Sequence, residues 1–365
     1  MGLNRDPLGG RDDMHQPELG LLQREHAVRA RDRASAHFSS LAPARPTEVY
    51  DTFWYFAAER QAVFFERLRG RPYPWTKDPI LRRYKFTNAY RASDRVSQYL
   101  IREVIYGGDQ DVREVFFRTM LFKIFNRIET WEMLDEEFGP LTYADYSFEA
   151  YDSALTRAIE RGRRIFSAAY IMPSGGKRPG RPKKHSRCLE LLGWMMEGAV
   201  PERLTEARNM REAFELLHGY PMIGDFLAYQ YVTDLNYSEM TDFGEMEFVM
   251  PGPGARNGIR KCFEDLGGLS EVDIIKVVAD RQQEEFERLD LGFESLWGRP
   301  LQLIDCQNLF CEVDKYARVA HPYAKGLTNR TRIKQTYNLN PEPVSYWYPP
   351  KWGINNMVSE WGMEA

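Results

Sequence analysis

From Thr47 onward the chain takes on a helical rhythm. TEVYDTFWYFAAERQAVFFERLRG places Val49, Phe53, Phe56, Ala57, Val63 and Phe64 near one face of a helical wheel, with Thr47 where an N-cap belongs. Further helical patterns cover roughly 91–106, 110–128, 129–138, 147–171, 186–198, 202–217, 224–235, 270–289 and 299–320, and no convincing run of strand-like alternation accompanies them. The expected fold class is therefore all-α. Residues 1–45 mix Arg, Asp, Gly and Pro without a period and read as a flexible N-terminal arm. Residues 46–320 form the helical region expected to carry function. Residues 321–365, with NLNPEPVSYWYPPKWG, read as an irregular strap packed over helices.

Composition narrows the class. The 365 residues are 43% hydrophobic and 28% charged, as befits a soluble globular protein. Lys and Arg number 49 against 53 Asp and Glu, a formal charge of −4, so any polyanion must be met by a local basic patch. No run approaches the roughly 18 apolar residues of a membrane span, and the N-terminus lacks the apolar core of a secretion signal, which makes a cytoplasmic monomer without membrane contact the expectation. Four scattered cysteines and six histidines, none paired at i, i+4, point to chemistry without a metal or other cofactor.

Four segments carry candidate chemistry. SGGKRPGRPKKHSR at 174–187 holds Lys177, Arg178, Arg181, Lys183 and Lys184 among Gly and Pro with no acid, and KRPGRPKK is similar to a minor-groove AT-hook core lacking one arginine. FELLHGYPMIGDFLAYQYVTDL at 214–235 reads as helix, turn, helix. Backbone donors at Ile223 and Gly224 would open the second helix toward a DNA phosphate. On a helix from 299 to 320, Asp305, Asn308 and Glu312 fall on one polar stripe, and FTNAYRASDR contributes Asn88 and Tyr90. The stripe is either a solvated face or the wall of a base pocket.

YPWTKDPILRRYKFTNAYRASDRVSQYLI at 73–101, IFSAAYIM at 165–172, VMPGPGARNGI at 249–259 and LIDCQNLFCEVDKYARVAHP at 303–322 resemble a phage-associated DNA-modification family. That family comprises the α-glutamyl/putrescinyl-thymine pyrophosphorylases and the helical domain linked to 5-hydroxymethyluridine DNA kinases. The resemblance implies a fold like the helix-hairpin-helix DNA glycosylases, with two helical subdomains and a cleft, acting on double-stranded DNA that carries modified hydroxymethylpyrimidines. The kinase phosphate loop GxxxxGK[ST] is missing from this sequence.

The leading expectation from this resemblance is a monofunctional DNA glycosylase excising a modified, glucosylated base from phage DNA in antiviral defence. Alignment of YPMIGDFLA with the glycosylase hairpin puts Phe226 in place of the amine nucleophile of bifunctional members, and the nearby Glu247 and Asp242 are the candidate catalytic carboxylates. The alternatives are a transferase that displaces pyrophosphate from an activated hydroxymethyl base, or a non-catalytic binder of modified DNA.

Overall fold

The computed structural model describes residues 43–168, 173, 182–340 and 345–358. Of the arm expected at 1–45, residues 1–42 lie outside them, as do Lys177, Arg178 and Arg181 of the basic loop. The described residues from Pro43 onward belong to one compact unit.

The fold is all-α, as expected, and several helices begin where a capping side chain takes an orphan N–H. Thr47 caps α1 (Glu48–Leu68), and Asp78 caps the short α2 (Pro79–Arg83) by accepting from Ile80 and Leu81 at 2.7 and 2.9 Å. The chain continues through α3 (Arg95–Tyr99), which widens into a π-helical turn over Leu100–Ile105, to α4 (Val112–Phe125). Buried without interruption from Val115 to Phe125, α4 is the central helix and ends at Asn126 in the left-handed conformation. Around it lie α5 (Ile128–Phe138), α6 (Phe148–Glu160), α7 (Lys184–Glu197) and α8 (Val200–Glu206). Helices α9 (Met210–His218) and α10 (Asp225–Leu235) follow, joined by the turn the sequence suggests.

The sequence pattern misses α11 (Pro253–Cys262). PGPGARNG reads as a loop by propensity, yet its glycines serve packing. A methyl added at Gly258 would collide with the backbone carbonyl of Phe310, and one at Gly254 would come within 2.9 Å of Cys311 Sγ. Both neighbours belong to α14 (Leu303–Ala320), which lies directly against α11; α12 (Glu271–Asp280) and α13 (Gln282–Arg288) fall between them in sequence. Gly258→Ala is expected to cost about 1–3 kcal/mol by forcing these helices apart, read as a lowered urea midpoint. An unchanged midpoint would show that the crossing yields without cost. The described sheet is one short pair, Arg45–Pro46 with Phe263–Asp265.

Aromatic rings fill the core from both ends of the chain. Phe53 packs on Phe310 at 4.6 Å and Trp54 on Phe286 at 5.0 Å. The C-terminal strap adds Tyr348 and Trp352, and Trp352 packs edge-on to Tyr237. Among the described residues no helix is long and apolar enough to cross a membrane.

Candidate functional site

The polar stripe of α14 is neither solvated nor empty. The loop 86–94 lies along it. Glu312 Oε2 accepts from Thr87 N at 3.0 Å, and Asp305 Oδ1 accepts from Arg91 N at 2.8 Å. The loop is closed on itself by Asn88, whose N–H donates to Asp94 Oδ1 at 2.7 Å and whose Nδ2 donates to the Ser93 carbonyl at 2.6 Å. From α1, Arg60 Nε donates to the Thr87 carbonyl at 2.9 Å.

Beneath the loop, Arg91 runs into the core. Its Nη1 meets Asp234 Oδ1 at 2.6 Å and the Tyr237 hydroxyl at 3.0 Å, while Nε donates to Gln230 Oε1 at 3.2 Å. Lys123 Nζ reaches the other Asp234 oxygen at 3.1 Å and donates to Asn126 Oδ1 at 2.7 Å. Asp234, Arg91 and Lys123 are all buried. Burial pushes the Asp234 carboxyl up, but the two cations more than offset it and leave it below the usual carboxylate range. Burial drives Lys123 the other way, down to about 8 against the pull of Asp234.

Several residues expected to line a base pocket are thus committed to scaffolding. Tyr90 is buried, its hydroxyl donating to the Arg299 carbonyl at 2.6 Å and accepting from Leu296 N at 3.2 Å. Asp305 takes the N–H groups of Arg91 and Gln302 and completes a capping box at the start of α14. Glu312 is shared between Thr87 N and Lys315. Asn308 differs: half-buried between Asp305 and Glu312 on the same face, it has no side-chain partner among the described residues. Asp94 is half-buried too, and among the described residues only its Oδ1 takes a hydrogen bond. Burial pushes its carboxyl up to about 7 against the Asn88 N–H and the Arg60 cation. Sequence reasoning counts Asp94 among the polar groups of FTNAYRASDR without giving it a role of its own, although Asn88 and Asp94 six residues apart signal a loop closed by a side chain.

These carboxyls set a pH dependence of stability. Asp94 at about 7 and Asp305 at about 6 hold their protons more tightly folded than unfolded. Their stabilisation is full below the unfolded carboxylate range and is lost as pH rises through those values. Asp234, shifted downward, acts oppositely and loses its contribution in acid. The urea midpoint should therefore fall between about pH 4 and 7, and Asp94→Asn should flatten that fall. A midpoint that climbs over this range would contradict the upward shifts.

The hairpin between α9 and α10 has the expected form with one correction. Ile223 is buried and its N–H donates to the Tyr220 carbonyl at 3.3 Å, so it is not available to a phosphate. Gly224 is exposed and begins α10 without a side-chain cap. Met222, where the glycosylase hairpin has a glycine, sits at a φ of 67°. Phe226 packs against Gly252 at the start of α11. Of the described basic-loop residues, Lys183 is exposed and donates to Thr156, and Lys184 lies 4.3 Å from the ring centre of Phe166. Glu247 is exposed and folds back over Gly244, and the Asp242 side chain is 88% exposed with Lys351 at 3.9 Å. Neither approaches the loop 86–94 through any hydrogen bond or ion pair among the described residues.

A family model described as the helical domain of 5-hmdU DNA kinase matches residues 47–326. Among curated proteins, the 5-hmdU DNA kinase of Bacillus phage SP10 is 29% identical over 339 residues, covering 87% of this chain and 52% of that protein. The chain thus spans about half the length of this relative. No solved structure matches. These findings overturn the expected DNA glycosylase: both matches are named for a kinase of 5-hmdU in DNA, not for a hydrolase of the N-glycosidic bond. With that reaction goes the role for which Glu247 and Asp242 stand out in the sequence.

Proposed function

The chain belongs to the family of the 5-hmdU DNA kinase helical domain, and from that premise we propose that it is a transferase hypermodifying 5-hydroxymethylpyrimidine-derived bases in DNA. The observation that carries the proposal is the family match over 47–326, which ties the helical fold to proteins named for that base. In the proposed reaction an amine attacks the activated 5-methylene carbon of the base. A C–N bond forms as the C–O bond breaks, and pyrophosphate leaves with the electron pair. The amine's proton passes to a carboxylate, and the N-glycosidic bond is untouched.

The geometry supports a division of labour. Asp94, titrating near neutrality with an Oδ2 that has no hydrogen-bond partner among the described residues, is the general base, since a base works best when its pKa lies near the working pH. Asn308 offers a donor and an acceptor to the edge of a base swung out of the duplex. Arg91 and its buried partners hold the loop that carries Asp94. The test supplies DNA bearing a pyrophosphorylated hydroxymethyl base with and without an amine donor. Pyrophosphate release that requires the amine supports the transferase; binding without release would leave a reader of modified DNA.

A further inference from the structure

Two stretches that the site does not use form a strongly basic face beside it. On the first, Lys77, Arg82, Arg83 and Lys85 are exposed. The only acid between Arg71 and Lys85 is Asp78, which is 6% exposed and occupied as the cap of α2 and as acceptor of the Tyr316 hydroxyl at 2.6 Å. On the second, Arg330, Arg332 and Lys334 are exposed, and no acid occurs from Pro322 to Asn340. None of these seven cations has an ion-pair partner among the described residues.

Backbone hydrogen bonds bring the two stretches together. Lys85 N donates to the Gln335 carbonyl at 3.1 Å and Tyr337 N to the Arg83 carbonyl at 3.0 Å, with Tyr84 and Thr336 paired antiparallel between them. Arg318 and Arg67 fasten the second stretch further, donating to the carbonyls of Arg332 at 3.1 Å and Asn340 at 3.2 Å. Paired backbones lie about 4.8 Å apart, so Lys334, next to the Gln335 that faces Lys85, brings the cations of the two stretches close together. Arg82 and Arg83 gain a little from ending α2, where a helix favours positive charge, but that accounts for neither Lys85 nor the second stretch. Such crowding costs repulsion in a chain whose net charge is −4, and a polyanion relieves it. Aromatic rings are interleaved: Tyr73, 39% exposed, stacks on Tyr337 at 6.3 Å.

We propose that this face is the track on which the DNA backbone lies as a base enters the site. The proposal rests on the reading of DNA as substrate and adds where the strand runs. Lys85 precedes Asn88 by three residues, a reach of at most about 11 Å, so a strand held at Lys85 passes the loop that carries Asp94. The phosphates take the cations, and the exposed tyrosine offers a ring face to an unpaired base.

The experiment measures fluorescence anisotropy of labelled single-stranded and duplex oligonucleotides, with and without 5-hydroxymethyluracil, against the whole chain. The triple variant Arg330→Glu, Arg332→Glu, Lys334→Glu is compared with wild type between about 50 and 200 mM salt. Affinity should fall about tenfold or more for modified and unmodified DNA alike. The slope of log affinity on log salt should flatten by about 0.7 to 0.9 per lost phosphate contact. Arg82→Glu with Arg83→Glu should behave the same way, and thermal melting should report folded protein in both. Wild-type binding that neither variant weakens would overturn the track while leaving DNA as substrate. Wild type that binds no DNA would overturn the substrate reading and the track with it, and binding to phosphatidylserine vesicles but not to DNA would assign the face to a membrane instead.

Discussion

Asp234→Asn is expected to destabilise the protein by about 3–5 kcal/mol, the cost of breaking a buried ion pair from one side. The substitution keeps the shape of the side chain and removes the one charge that Arg91 and Lys123 share, at 2.6 and 3.1 Å. Two cations would then face each other where water does not reach. Lys123, already depressed to about 8 by burial, would give up its proton, but the guanidinium of Arg91 cannot. Lys123→Met should cost less, because Asp234 and Arg91 still neutralise each other although Asp234 Oδ2 and Asn126 Oδ1 each lose a donor. The order of the two variants in urea, and its insensitivity to salt, distinguish this cluster from a surface network, which salt would screen. Equal melting of wild type and Asp234→Asn would show that the cluster carries no such weight. Because Arg91 also binds Asp305 through its backbone, the loss should spread to the loop and lower activity in the folded fraction.

Asp94→Asn is expected to reduce the single-turnover rate by about 100-fold or more while DNA affinity stays near wild type. The amide keeps an acceptor for the Asn88 N–H, so the loop retains its closure. What is lost is the ability to take a proton. The wild-type rate should rise with pH through about 7, as the carboxyl ionises, and level off above it. In Asp94→Asn that limb should vanish. Asn308→Ala should instead weaken productive binding of the modified base, raising KM more than it lowers kcat. A normal rate and an unaltered pH profile in Asp94→Asn would remove Asp94 from the chemistry.

The sequence made most helices legible because their periodicity and caps agree: Thr47, Asn209 and Ser270 stand where the chain starts to turn. It overran α6, which ends before Gly162, and fused α8 with α9, which Asn209 separates. It lost α11, whose glycines disfavour a helix locally and are kept for contact with α14. The site was legible as residue types and not as roles. Asp305, Asn308 and Glu312 do share one face, but only the fold reveals that backbone N–H groups occupy two of them. The deep cluster joins Arg91 to Asp234, and Asp234 to Lys123, on two other helices, and no local pattern connects such distant positions. The basic face divided between 77–85 and 330–334 escaped for the same reason, whereas the contiguous charge run at 174–187 drew attention.

The most direct test of the account is mass spectrometry of nucleosides recovered after the protein has acted on DNA carrying pyrophosphorylated hydroxymethyluracil in the presence of an amine donor. The account predicts a nucleoside still joined to its sugar, bearing the mass of the amine in place of pyrophosphate, with one pyrophosphate released per base altered. A free base with an abasic strand, or a nucleoside that gains only phosphate, would contradict it.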